Sequence, residues 1–223
     1  MGITERKERE KESRKESIID AAQKVFFEKG LLLSTMDEIA ETAELAKGTL
    51  YLYYHSKEDL YLAVMMRGLQ IMRTMFVEVI AHGHSVVRTM VELTAAYTTF
   101  YHQNKNYFRM FHFFNTPQFH KQVSEEMMQT CDAFNQQLWG MVVDVMRTGM
   151  EEQTFRKDLN PLEVALIMWS NSTTLLMRID NQHDMVKQKM NIDLNETLQM
   201  SNILFLESLL TEQGKKELTA LSI

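Results

Sequence analysis

The chain has 223 residues, 45% hydrophobic and 24% charged, enough for one large domain or a small domain beside a larger one. Its net charge of −6 argues, taken alone, against nucleic acid, although the local distribution of charge matters more than the total. The single Cys131 excludes an intramolecular disulfide and fits a reducing cytoplasm. Two prolines and eight glycines leave few breakers, and 18 methionines add residues of high helix propensity, so an all-α chain is expected. No apolar run approaches the roughly 18 uncharged residues of a membrane span. Charge from Glu5 onward is unlike a secretory signal. The composition predicts a soluble, cytoplasmic protein without a membrane partner.

Residues 1–15 mix Arg6, Lys7, Arg9, Lys11, Arg14 and Lys15 with Glu5, Glu8, Glu10 and Glu12. They read either as a solvated charged lead-in or as an arm, residues 1–13, lying along phosphates. Ile18, Ile19, Ala22, Val25 and Phe26 recur at helical spacing, which predicts a helix from about Ser13 to Gly30. Thr35 and Glu38 have capping-box spacing and open a short helix with Met36, Ile39, Ala40 and Ala43 on its apolar face. After a break at Glu44–Leu45, "AKGTLYLYYH" is a third short helix. Ser56 and Asp59 cap a long helix from Lys57 to about Ala81. A long helix, a short helix, a tight turn and a short helix make a helix-turn-helix within a three-helix bundle.

Further helices are expected from about Ser85 to Gln103, in the aromatic stretch "NYFRMFHFF", and from Gln118 to Gly149 as one helix. Asn160, Pro161 and Glu163 signal another start, running to about Asp180. "NQHDMVKQKMNID" reads as a polar connector, and the last helix as Asn195 to about Leu210.

The stretch "KGTLYLYYHSKEDL" places Tyr51, Tyr53 and Tyr54 within four positions between Lys47 and Lys57. Successive helical side chains diverge by about 100°, so at least one phenol leaves the core. Leu50 and Tyr54, four apart, should face inward with Ile39, Ala43 and Leu45, while Tyr51 and Tyr53 point away. Without further context they read equally well as aromatics between packed helices.

The segment from Ile18 to Leu60, through "IIDAAQKVFFEKG" and "STMDEIAETAELAKGTLYLYYHSKEDL", resembles the TetR family of bacterial transcriptional regulators. The most specific piece is Lys-Gly-Thr-Leu-Tyr, two residues, an aromatic, then Ser-Lys-Glu. The later helix order, including "GMEEQTFRKDLNPLEVA", is similar too. The resemblance implies an all-α homodimer with a DNA-binding domain at residues 1–55 and a larger effector-binding and dimerisation domain at 56–223. It implies that Tyr51 contacts phosphate, that Lys47, Thr49 and Tyr53 face the major groove, and that Thr35 and Lys57 grip the backbone. Gly48 and His55 lie on the same surface. The chain departs from the family pattern at Glu44, where glycine is common, and at Ala46, where Ser or Thr usually caps.

Seven histidines raise the question of a metal, but no two of them stand at i, i+4 spacing with a carboxylate partner in a helical frame. No metal and no cofactor are expected, and Cys131 reads as a packing residue. No catalytic constellation is present: Glu125/Glu126 and Glu151/Glu152 are adjacent, so they diverge around a helix. The aromatic and Met-rich middle is the expected effector region. Its candidates are Phe100, Tyr107, Met110, Phe111, Phe114, Phe134, Met141 and Trp169, with His112, Asn115 and Asn171 as polar contacts. For any one of them core packing is the simpler role. A two-fold pairing of the last two long helices, as the family implies, would use Leu166, Trp169, Thr173, Leu176, Leu198, Leu206 and Leu209. Together these features suggest a regulator, most simply a repressor, whose homodimer binds a near-palindromic DNA operator and is released by a small apolar or amphipathic molecule. The alternative is a helical ligand-binding or scaffold protein without specific DNA binding.

Overall fold

A computed structural model describes residues 3–114 and 117–221, with all their side chains except those of Ile3, His112, Pro117 and Gln118. Candidate Asn115 and the side chain of candidate His112 lie outside the described residues. The helices in chain order are α1 (Ile3–Leu33), α2 (Met36–Thr42), α3 (Lys47–Tyr51), α4 (Lys57–Ala81), α5 (Val86–Gln103), α6 (Lys105–Phe114), α7 (Pro117–His120), α8 (Glu125–Glu151), α9 (Pro161–Met190), α10 (Leu194–Leu209) and α11 (Glu212–Ala220). Among the described residues the only extended pairing is an isolated bridge between Phe155 and Leu210.

The chain divides into two compact units, Met1–Ile71 with Asn104–Asn135, and Met72–Gln103 with Gln136–Ile223. In the first, Ile18, Ala22, Ile39, Leu50, Leu60 and Leu62 are wholly or almost wholly buried. The segment 104–135 is tied into this unit at three places. Tyr107 donates from its hydroxyl to Gln23 (2.7 Å), the Ser124 N–H donates to the buried Asp59 carboxylate (2.7 Å), and Tyr61 donates to the Met110 carbonyl (3.4 Å). Gly68 permits the approach of α6, since a Cβ there would meet the Tyr107 ring at 2.7 Å.

The second unit is built around α9 and α10 and around α5 with α11. Phe100, Met146, Phe155 and Leu176 are fully buried there. The Tyr97 hydroxyl lies 2.7 Å from that of Thr173, and burial pushes the phenol up to about 12.

Four sequence expectations change. α1 begins at Ile3 rather than Ser13, because the alternating charges can pair along a helix, as Arg6 and Glu10 do at 2.8 Å. Its backbone breaks at Gly30 (φ 72°), as expected, and resumes briefly. The single helix from Gln118 to Gly149 is two, α7 and α8, divided at the turn where Ser124 meets Asp59. α9 continues to Met190, so the supposed polar connector is helical. It stops at the left-handed Asn191, whose N–H bonds the Lys187 carbonyl, while the Lys187 ammonium pairs with Asp193 at 3.0 Å. α11 was not foreseen; Thr211 caps it by accepting from the Gly214 N–H.

Among the described residues α4 alone is long and apolar enough to cross a membrane, with a mean hydropathy of 1.2, but half of that window is buried inside the protein. Its apolar length is explained by the core that Leu60, Leu62, Val64, Met65 and Leu69 fill.

Candidate nucleic-acid interface

The interface is set by two short helices that could not persist alone. At the start of α2, Thr35 Oγ1 accepts from the Glu38 N–H (3.2 Å) and Glu38 Oε2 accepts from the Thr35 N–H (3.0 Å), completing the capping box. Lys29 anchors the same carboxylate from α1 at 2.6 Å and, with the Thr35 bonds, holds its pKa below the usual carboxylate range. The turn that follows places Glu44 in the left-handed region (φ 55°), as the family's glycine would be. A non-glycine residue bears a cost there of roughly 1–2 kcal/mol. The Leu45 N–H still reaches the Ala40 carbonyl at 2.9 Å, so the turn closes. Ala46 begins α3 with no side-chain cap.

Within α3, Leu50 is fully buried and Tyr54, just beyond it, is 3% exposed. Ala43 and Leu45 are half-buried. Lys47, Gly48, Tyr51 and His55 are exposed, and Thr49 and Tyr53 are half-buried beside them. The three tyrosines therefore divide as the spacing requires: Tyr54 in the core, Tyr51 outward, Tyr53 between. Lys47 leans on Asp37 of α2 at 2.5 Å, and that hydrogen bond raises its pKa. No Cβ contact constrains Gly48, since nothing lies within 4 Å of where one would stand. A phenol, an ammonium and a helix surface free of a Cβ, presented together, can meet phosphate oxygens and base edges.

Lys57 has partners within the chain. Its ammonium donates to the carbonyls of Leu31 (2.6 Å) and Ser34 (2.8 Å), fastening the α1–α2 corner to the start of α4. Any contact with phosphate would compete with these bonds. Thr35 is exposed, but its hydroxyl already serves the capping box.

The sequence reading missed two features of this unit. Because α1 starts early, Arg6, Arg9 and Arg14 line an open cleft of about 640 Å³ with Glu10, Ser13, Ser17, Ala43 and Leu45, beside the helix-turn-helix turn. The charge pattern of residues 1–15 was the available signal. Asp59, buried to 1% exposure, reaches across to Ser124, a contact 65 residues away that no local pattern reveals.

Residues 18–64 match the model of the bacterial regulatory proteins, tetR family. This segment belongs to the TetR family. An HTH-type transcriptional regulator of Bacillus subtilis, YfiR, is 36% identical over 59 residues, which are 26% of this chain and 29% of that protein. The transcriptional activator FasR of Mycolicibacterium smegmatis is 40% identical over 57 residues, 26% of either chain. The matches thus span little more than a quarter of these curated relatives. Across most of the chain the fold is that of solved TetR regulators. FadR of Thermus thermophilus, a TetR-family transcriptional repressor in complex with lauroyl-CoA, has a TM-score of 0.63 at 21% identity, over 88% of this chain and 95% of that one.

The effector candidates fall in two sets. In the first unit of this TetR-like chain, Tyr107 and Met110 are buried, and Phe111, Phe114 and Phe134 are half-buried. Phe114 and Phe113 pack edge-on against Phe119, which stacks edge-on with Tyr61 of α4 at 5.5 Å. In the second unit, Phe100 is core, Met141 is half-buried, Trp169 stacks on Trp139 (5.6 Å), and Asn171 donates to Ser201 (2.7 Å).

The dimer candidates differ in exposure within the chain. Leu176, Leu198, Leu206 and Leu209 are buried within the chain, and Thr173 is engaged by Tyr97. Of the set, Leu166 is exposed and Trp169 half-buried; the large apolar side chains exposed on these helices are Leu162, Leu166, Ile167, Met185 and Met190 on α9 and Met200 and Leu204 on α10. Cys131 is buried, its thiol pushed up to about 11 by burial, as suits a packing residue.

Proposed function

We propose that the protein is a cytoplasmic TetR-family transcriptional repressor. Its homodimer binds a near-palindromic DNA operator through Lys47, Gly48, Thr49, Tyr51, Tyr53 and His55, with Thr35 and the N-terminal arginines flanking. In this reading residues 1–55 make the DNA contacts and residues 56–223 carry effector binding and dimerisation. The observation that carries it is the division of α3 into a buried face at Leu50 and Tyr54 and an outward face of Lys47, Gly48 and Tyr51, within the segment that matches the family.

A second copy of the chain is the partner for the exposed Leu162, Leu166, Ile167, Met200 and Leu204. Two copies carry two α3 helices, which suit half-sites roughly one or more helical turns apart. The effector is an amphipathic molecule with an acyl chain, a class supported by the lauroyl-CoA of the T. thermophilus FadR complex. The aromatic cluster of Phe111, Phe113, Phe114 and Phe119 is its proposed contact in the first unit. An acyl chain entering there presses on Tyr61, one turn from Lys57, and so moves the start of α4 and the corner that Lys57 holds. A coupling of about 1–3 kcal/mol would weaken operator binding roughly 5–150-fold.

The test is capture of genomic DNA fragments on the purified protein, followed by titration of the captured duplex at several salt concentrations with and without lauroyl-CoA. Specific binding that falls steeply with salt supports the reading. By linkage, duplex and lauroyl-CoA must weaken each other equally. Failure to retain any fragment sinks the DNA-binding assignment, and equal duplex affinity with and without a bound acyl-CoA sinks induction alone.

A further inference from the structure

The corner between α4 and α5 gathers two imidazoles and a carboxylate. α4 closes with the His82 N–H on the Val79 carbonyl (3.2 Å) and the Gly83 N–H on the Ile80 carbonyl (3.2 Å). Gly83 then adopts φ +65°, a conformation that side chains rarely take, and this reversal brings His84 back beside His82. Their rings lie 5.3 Å apart between centroids. Glu92, two turns into α5, points back at both. His84 Nδ1 is 3.0 and 3.1 Å from the two carboxylate oxygens, and His82 Nδ1 is 3.5 Å from Oε2. One donor atom from each residue lies within 4.8 Å of the others.

These spacings fit a metal's ligands. Zinc binds nitrogen and oxygen at about 2.0–2.2 Å, so the edges of its tetrahedron measure about 3.4 Å. Two edges are already near that length, and the third closes by a small swing of His82, whose side chain is 56% exposed. Arg88 Nε donates to Glu92 Oε1 at 2.8 Å, which fixes the carboxylate and leaves Oε2 toward the histidines. Two imidazoles and a carboxylate favour zinc and its neighbours in the transition series over magnesium or calcium, which take oxygen. Helical i, i+4 spacing, the usual sequence mark of such a site, is absent because the ligands come from a helix end, a turn and the next helix.

We propose that His82, His84 and Glu92 form a three-ligand zinc site with a fourth position open to water, joining the end of α4 to α5. The site stands independently of the DNA-binding reading. Its test uses the full-length chain stripped with a chelator and titrated with zinc chloride against a chromophoric zinc chelator. One zinc per chain is expected. Affinity should fall at least about tenfold in His84→Gln and in Glu92→Gln, and remain unchanged in His102→Gln. Zinc should raise the melting temperature of the wild type and of His102→Gln but not of the two ligand variants. Magnesium should not compete. Melting each variant without metal shows whether it still folds; cobalt(II) supplies a second readout in the wild type, whose visible bands should take four-coordinate intensity. Wild-type binding below one zinc per chain, or equal affinity in wild type and folded ligand variants, overturns the proposal and leaves the cluster as hydrogen bonds alone.

Discussion

Lys57→Met separates two roles for one residue. The substitution keeps most of the side-chain length and removes the ammonium that bonds the Leu31 and Ser34 carbonyls. A hydrogen bond to a charged group contributes about 1.5–3 kcal/mol. Two discounts apply. The group is only half-buried, so water replaces part of what is lost, and the Leu31 carbonyl keeps the Ser34 hydroxyl at 2.9 Å. The expected loss is therefore about 2–3 kcal/mol. At about 2–4 °C per kcal/mol for a chain of this size, the melting temperature should fall by about 4–12 °C. The DNA assay gives the contrast. A lysine gripping one phosphate per chain would add about 1.8 to the salt slope of a dimer, at about 0.9 per phosphate. The structure instead predicts an unchanged slope once affinity is measured well below the melting point. Unchanged melting together with a slope shallower by about 2 would refute the fastening role and restore the phosphate contact.

Three further outcomes are expected. Gly48→Ala should stabilise the fold by about 0.5–1 kcal/mol, since α3 is helical there and the new methyl meets nothing, yet weaken operator binding about tenfold where DNA approaches that surface; unchanged binding in a gel shift moves the approach away from Gly48. Tyr54→Ala opens a cavity at a residue 3% exposed and should cost about 3–5 kcal/mol in chemical denaturation, whereas Tyr51→Phe should leave stability intact and cost about 1 kcal/mol of binding; the reverse pattern would invert the inward and outward faces of α3. Leu166→Glu with Leu204→Glu should give folded monomers by light scattering, and a persistent dimer would place the interface elsewhere.

What could be read beforehand was whatever depends on near neighbours. Thr35 with Glu38, and Asn160 with Pro161 and Glu163, each specify a helix start within four residues, and both starts are where they were expected. The strained turn at Glu44 and the capless Ala46 were legible for the same reason. Partners distant in sequence were not. Lys57 looked like a surface cation because its carbonyl partners lie 23 and 26 residues upstream. Periodicity marks an apolar face without saying what covers it, so Leu176 and Leu206, which the chain buries itself, looked the same as Leu166 and Leu204, which it leaves exposed. The cluster of His82, His84 and Glu92 needs the reversal at Gly83, which a one-dimensional spacing rule does not see.

The matched family segment ends at residue 64, but the physical unit that contains it also draws on residues 104–135. Tyr107, the Met110 carbonyl, Ser124 and Phe119 all arrive from that later stretch to engage Gln23, Asp59 and Tyr61. During synthesis the helix-turn-helix therefore emerges from the ribosome well before its supports. At roughly 5–20 residues per second, several seconds pass in which Asp59 has no Ser124 to bond and the Tyr61 ring has no Phe119 against it. A nascent chain in that interval has an incomplete first unit, and completes it only when the aromatic segment has been made and packed.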